Sequence, residues 1–343
     1  MQSILLVGEQ RSGSNLLRIM LAGTGAIAAP HPPHVLQRID PIVPVGGELD
    51  PQRFQLLVET VCRLVETNPV PWANTGLDRS EVARRCRAPH VIAIFAAVME
   101  IHAAANGAPA WMCKSMQNIR WAPALDGYLR RNRYVYLHRD PRDVALSFTK
   151  AVVGDKHVYF LAKQWAELQR LCLDTSARLG PERFHPVSYR ELTESPEATL
   201  RRLCDFLGIE FSPRMLECHD SEEARNTAAA SSLWENVKRP IIATNHDKFR
   251  EELADEEVRI VESVAGREMD ELGYARVLVE RGQEDTFTAD RIAGFKKINE
   301  RLKKLRAQTM EPEDAERRKR QDQVLVDLRA RLAELQTVSA ART

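Results

Sequence analysis

The chain has 343 residues, with 49 Lys and Arg against 48 Asp and Glu, a net charge of +1 and an isoelectric point near 7.7. That balance supplies no long-range field for nucleic acid or an anionic membrane, and the longest apolar run, around residues 91–99, is too short to span a bilayer. Six cysteines without a C-x-x-C pair fit reduced thiols, and no basic leader precedes the first apolar run, so a cytoplasmic protein with no transmembrane segment is expected.

Residues Ile4 to Val7 form a short apolar run of the kind that makes a buried strand. Gly8 then opens a loop, and from about Ser14 apolar residues recur at helical spacing (Leu17, Met20, Leu21). Residues 29–50, rich in Pro and Gly, are expected to cross the surface as an irregular loop. Residues 51–108 read as mainly helical. A second strand is expected at 108–115, a helix near 121–131 and a third strand at 133–140, stopped by Pro141. Helical pattern then runs on to Leu179, a fourth strand falls at 183–189, and a helix over 196–207 ends on Gly208.

Strands alternating with helices predict an α/β fold over residues 1–288, a P-loop-like central parallel β-sheet flanked by helices. Ligands of such sheets sit at the carboxyl ends of the strands, near a topological switch point. The loops beginning at Gly8, Lys114, Arg139 and Tyr189 are therefore the ones to inspect.

From about residue 289 the chain becomes strongly charged. Phe295, Ile298, Leu302 and Leu305 are spaced 3-4-3, as are Leu325, Leu328, Leu332 and Leu335 after Pro312. These stripes predict a helical C-terminal appendage over 289–343 that packs on the body or on a second copy in a homo-oligomer. The basic cluster at 317–320 lies among acidic residues and reads as a solvated helix face, with no nucleic-acid partner implied.

Gly8 and Gly13 have the glycine spacing of the nucleotide-binding pattern G-x-x-x-x-G-K-[ST]. Ser14, however, stands where the lysine belongs, and Asn15 where a Mg²⁺-binding hydroxyl belongs. What remains is Arg11, Ser12, Gly13, Ser14 and Asn15 at a helix N-terminus, a phosphate-binding set whose plain alternative is an ordinary strand-to-helix turn. Downstream, Arg139 ends the third strand and Ser147 lies in the next helix; a guanidinium fork and a hydroxyl together suit a second phosphate. Asp140, Arg142 and Asp143 read as caps and local ion pairs.

The segment "RSGSNLL" after an N-terminal strand, followed by "VYLHRDPRDVALSF" at 135–148, resembles the sulfotransferases that use 3′-phosphoadenosine 5′-phosphosulfate (PAPS). Further matching pieces are "KS" at 114–115, "VSYRELTESPEATLRRLCDFLGI" at 187–209 and "VAGREMDELGY" at 264–274, so the resemblance covers about residues 3–274. It is strongest to the bacterial and Golgi-type carbohydrate or tyrosyl enzymes. It implies that the first loop, with Arg11, holds the 5′-phosphosulfate and that Arg139 and Ser147 hold the 3′-phosphate. It further implies that Lys114 is the family's catalytic lysine and that Tyr189 contacts adenine. Trp234, Lys238 and Lys248 belong to the segment matching the family's late loop.

A sulfuryl transferase of this kind needs no metal. It turns PAPS into adenosine 3′,5′-bisphosphate and passes the sulfuryl group to a hydroxyl of a small-molecule or glycan acceptor. The family places its base, a Glu or in other branches a His, shortly after the first helix. Here "APHPPHVLQRID" has no glutamate, which leaves His31, then His34, with Asp40 further off. Two other readings stand beside this one. A small-molecule kinase would need the missing lysine and Mg²⁺ ligand; a non-catalytic nucleotide-binding module would bind without turnover.

Overall fold

The computed structural model describes residues 1–340. Five strands form one sheet in which every neighbouring pair is parallel: β1 (Gln2–Gly8), β2 (Ile27–Ala28), β3 (Ala110–Cys113), β4 (Arg133–His138) and β5 (Phe184–Ser188), in the order β2-β3-β1-β4-β5. The central strand β1 pairs Leu5 with Cys113 on one side and with Tyr134 on the other. Its side chains alternate between two cores, as the two-residue period of a strand requires. Leu5 and Val7 face a cluster with residues of the helices Pro51–Glu66, Val91–Ala105 and Val158–Leu179; Ile4 and Leu6 face one with the helices Ser14–Ala22 and Pro196–Leu207.

Four strands and their connecting helices fall where the apolar runs place them, and three differences have physical causes. The two-residue strand β2 pairs only Ile27 with Ala110 and Ala28 with Trp111, too short a run to carry a pattern. The 29–50 segment does not lie on the surface throughout: residues 29–33 are buried and a short helix follows at Val35–Ile39. Burial is tolerable there because side chains take the carbonyls, Trp72 Nε1 donating to His31 O at 2.8 Å and Asn68 Nδ2 to Pro32 O at 3.1 Å. The helical pattern running to Leu179 is in fact two helices, Pro141–Lys150 and Val158–Leu179. The break is held by Lys156, whose ammonium donates to the carbonyls of Phe148, Val153, Gly154 and Asp155.

The charged tail folds as the helices Ala289–Ala307 and Pro312–Ala340. Of the first apolar stripe only Phe295 is buried, while Ile298 and Leu305 are exposed. The second helix lies on the helix Pro51–Glu66, with Val324 and Leu328 buried in the main core and Arg63 paired to Asp327 at 2.7 Å. Among the described residues no helix is long and apolar enough to cross a membrane.

Because Leu328 is almost fully buried against the body, Leu328→Ala should cost about 2–5 kcal/mol of unfolding free energy, the range for a large-to-small core change. Ile298→Ala, on an exposed face, should leave urea unfolding unchanged. Equal effects of the two substitutions would show that the terminal helix is not seated on the body.

Candidate functional site

β1 ends at Gly8, where the chain must turn hard beside β4. A Cβ on Gly8 would lie 2.3 Å from Leu137 O, and its φ of +127° suits only glycine. Five residues on, Gly13 (φ +87°) opens the helix Ser14–Ala22 without a side-chain cap or an acidic first turn. The helix therefore presents uncapped N–H groups to whatever sits in front of it. Between the two glycines Arg11 adopts φ +66°, a conformation uncommon for a residue with a side chain. Such outliers persist where surrounding contacts fix them. Here the fixing contacts are Arg11 Nε donating to Ser147 Oγ at 2.9 Å and Arg139 Nη1 donating to Arg11 O at 3.1 Å.

A cleft of about 550 Å³ opens at the carboxyl ends of β1, β3 and β4. Arg11, Gly13, Ser14, Asn15, Lys114, Arg139, Ser147 and Tyr189 all line it. Ser12 lies buried beneath the loop, its Oγ without a hydrogen-bond partner, and Arg139 Nε is similarly buried and unpartnered. Both are donors, as an anion would require. Asn15 Oδ1 is an unpartnered acceptor and suits a hydroxyl. A second concavity, about 700 Å³ around Asp270–Arg281, offers no such chemistry, since Arg276 and Arg281 are already paired with Asp270.

The cleft's charges are poorly hydrated. Burial, then repulsion from Arg18 and Arg11, pushes the Lys114 ammonium down to about 7. Burial and neighbouring Arg139 push Arg11 down to about 10. Among the described residues Lys114 has no carboxylate partner. Arg139 sits 3.8 Å from Asp143, donates to Asn245 O at 2.8 Å, and lies over the Tyr189 ring at 4.4 Å. One face of Tyr189 is thus taken by a cation, and its edge is packed on Gly13, where a Cβ would come within 2.4 Å of the ring. Asp140 caps its helix and pairs with Arg142, which also pairs with buried Glu262 at 2.6 Å.

His31 is set deeper than the cleft wall. Its ring lies 4.7 Å from that of Trp234, which does line the cleft, and its Nδ1 meets Asn68 Oδ1 at 2.8 Å. Burial, then Lys114, Arg18 and His34, hold it well below the ordinary histidine value. His34 caps the short helix after it in a left-handed conformation (φ +52°) and is pushed down to about 3, again chiefly by burial. Asp40 is occupied in accepting Val45 N at 3.0 Å. Of the late-loop candidates Trp234 and Lys248 reach the cleft, whereas Lys238 is exposed and pairs with Glu235 at 3.1 Å.

Sequence reasoning missed Arg239 and Asn245, which also line the cleft, and Asn68 behind His31. It also missed Glu9, a buried carboxyl pushed up to about 7 by loss of water while it accepts from Gln164 and Gln10 N. Glu9 stands inside the Gly8–Gly13 pattern, and Arg239 and Asn245 lie in the late-loop segment, but neither pattern marks them individually; Asn68 stands in no motif.

The sulfotransferase family model matches residues 3–213. Among solved structures, the sulfotransferase domain from the curacin biosynthetic pathway is similar at 23% identity and TM-score 0.57, over 80% of this chain and 98% of that one. The sulfotransferase domain of the Synechococcus PCC 7002 olefin synthase is similar at 21% identity and TM-score 0.53, over 77% and 94%. These two likenesses bear on the fold.

Gly13 is the tightest point of the loop. Gly13→Ala, which would drive a methyl into the Tyr189 ring in a backbone conformation alanine avoids, should lower the melting temperature. An alanine variant as stable as the parent would mean that the loop can relax away from Tyr189.

Proposed function

The chain belongs to the sulfotransferase family, and from that premise we propose that it moves the sulfuryl group of PAPS to a hydroxyl of a small-molecule or glycan acceptor, without a metal. The observation that carries this reading is the set of poorly hydrated cations, Arg11, Lys114 and Arg139, on one cleft wall, with no carboxylate paired to Lys114 among the described residues. A donor with a phosphosulfate and a second phosphate matches that charge. The unpartnered donors Ser12 Oγ and Arg139 Nε fit it too.

In this assignment Arg11, the loop N–H groups and the helix N-terminus take the phosphosulfate end. Lys114 faces the transferring group. Arg139 and Ser147 take the 3′-phosphate, and Tyr189 acts on the nucleotide through the guanidinium lying on its ring. The acceptor oxygen bonds to sulfur as the bond from sulfur to the phosphate oxygen breaks. The electron pair leaves on the phosphate, and the hydroxyl proton passes to His31. Because Ser14 and Asn15 replace the Lys-Ser/Thr pair, the chain has no P-loop hydroxyl for Mg²⁺, which argues against nucleoside-triphosphate chemistry.

The cations around His31 make it a weak base in the free protein. A bound polyanion beside Lys114 and Arg11 offsets those charges and raises the basicity of the ring. His31 is therefore a better base once the donor is in place.

The direct test is transfer of labelled sulfate from PAPS to a metabolite extract, with products identified by mass spectrometry. Labelled product should form equally in the presence of EDTA; turnover that requires Mg²⁺ overturns the proposal. His31→Gln should lower kcat by about 10²–10⁴-fold, the range for a lost general base, while donor affinity is kept. The base works unprotonated, so activity is present above its pKa and lost below it. The acid limb of kcat/KM for PAPS, which reports the free enzyme, should thus fall below the ordinary histidine value of about 6.5. The limb of kcat, which reports the loaded enzyme, should fall at higher pH. Coincident limbs would remove the electrostatic coupling argued here.

A further inference from the structure

We propose that Asn68 is a positioning residue that fixes His31 as its Nδ1–H tautomer and so keeps the Nε2 lone pair free for the acceptor's proton. The inference rests on His31 being the base, and it assigns a role to a residue outside every motif in the sequence.

The hydrogen bonds around Asn68 leave its amide one orientation. Pro32 O lies 3.1 Å and His31 O 3.4 Å from Nδ2, and carbonyl oxygens only accept, so the amide nitrogen must face them. Val70 N lies 3.2 Å from Oδ1 and only donates, so the amide oxygen must face it. The same oxygen meets His31 Nδ1 at 2.8 Å. An amide oxygen cannot donate, so the proton of that bond belongs to Nδ1. A buried neutral imidazole carries a single proton, and Nε2 is left bare.

His31 Nε2 is buried with no hydrogen-bond partner among the described residues. An unpartnered acceptor in a packed interior calls for an explanation. The Trp234 ring, which lines the cleft, lies 4.7 Å from the His31 ring. Turning the ring would give up the bond between Nδ1 and Asn68 Oδ1 at 2.8 Å. The charged and titratable groups that act on it are Lys114, Arg18 and His34, all of which disfavour a second proton. The arrangement costs His31 one hydrogen bond and reserves that bond for an incoming hydroxyl.

Nitrogen-15 NMR of the imidazoles, with His31 assigned by its loss in His31→Gln, reads the tautomer without any turnover. At neutral pH the wild-type protein should give a protonated Nδ1 and an unprotonated Nε2. The reverse tautomer, or a doubly protonated ring, overturns the proposal. Asn68→Ala should release the tautomer and lower kcat by about 10- to 10²-fold, the loss expected when the partner orienting a histidine is removed, with KM for PAPS unchanged. Asn68→Asp, which keeps an acceptor at Nδ1 and adds charge, should recover part of kcat and move the acid limb to higher pH. A role confined to holding the 31–33 and 68–70 segments together would instead lower kcat and melting temperature in both variants and leave the limb where it was, and that outcome also overturns the proposal. Should Asn68→Ala not fold, the wild-type spectrum and Asn68→Asp decide. The failure of the base assignment is distinguishable: His31→Gln would then stay active although the wild-type ring shows the tautomer described.

Discussion

The crowding of like charge at one edge of the sheet is the constraint from which the site follows. Arg11, Lys114 and Arg139 stand beyond the ends of β1, β3 and β4, short of water, and neighbouring guanidinium charge helps to depress the protonation of Arg11 and Lys114. A fold gains nothing from such a cluster by itself, since crowding like charges away from water is costly. Only a polyanion removes both penalties at once. The depressed Lys114 makes the same point from the side of the lysine: the free site holds that proton weakly, and an anion would hold it firmly.

Largely uncharged groups hold Arg139 in place, two backbone carbonyls and the face of Tyr189. Tyr189 in turn accepts from Asn245 Nδ2 at 2.7 Å, and Asp143 receives Asp247 N and Phe249 N, which ties the late segment to the helix after β4. Asp143 accepts from those N–H groups while also facing Arg139 at 3.8 Å. The tail joins the same wall: Asp314 accepts from Ser231 Oγ at 2.9 Å and Arg317 donates to Ala230 O at 2.7 Å, three to four residues before Trp234. The terminal helix, itself seated on the helix Pro51–Glu66, thereby anchors the segment that carries Trp234 beside His31.

The parts of this architecture that were legible in the sequence are those written in local chemistry. β1, β3 and β4 each carry an apolar run, β5 a shorter mixed one, and Gly8, Gly13, Arg139 and Ser147 lie in two contiguous motifs. What was illegible depends on distant partners. The burial of residues 29–33 needs Trp72 and Asn68, about 40 residues away, to take up carbonyls that a Pro-rich segment cannot pair within itself. The tail shows the limit of periodicity. Its stripe marked Leu325, Leu328, Leu332 and Leu335, yet the deepest contacts are Val324 and Leu328. Ile298 and Leu305 carry the same spacing and face outward. Periodicity identifies an amphipathic face and leaves open what that face meets.

In the proposed reaction, a histidine rather than a glutamate as base has an electrostatic logic. A carboxylate placed where His31 stands, beside Lys114 and Arg18, would ion-pair with the lysine, and each group would be spent on the other. A neutral imidazole brings no charge into the cluster. It leaves Lys114 to the transferring group, and Asn68 can orient it without adding charge of its own. The penalty is a base weakened by its cationic neighbours, and the donor's negative charge is what lifts that penalty. In the proposed reaction, then, one set of cations draws in the donor and, until it arrives, keeps the base weak.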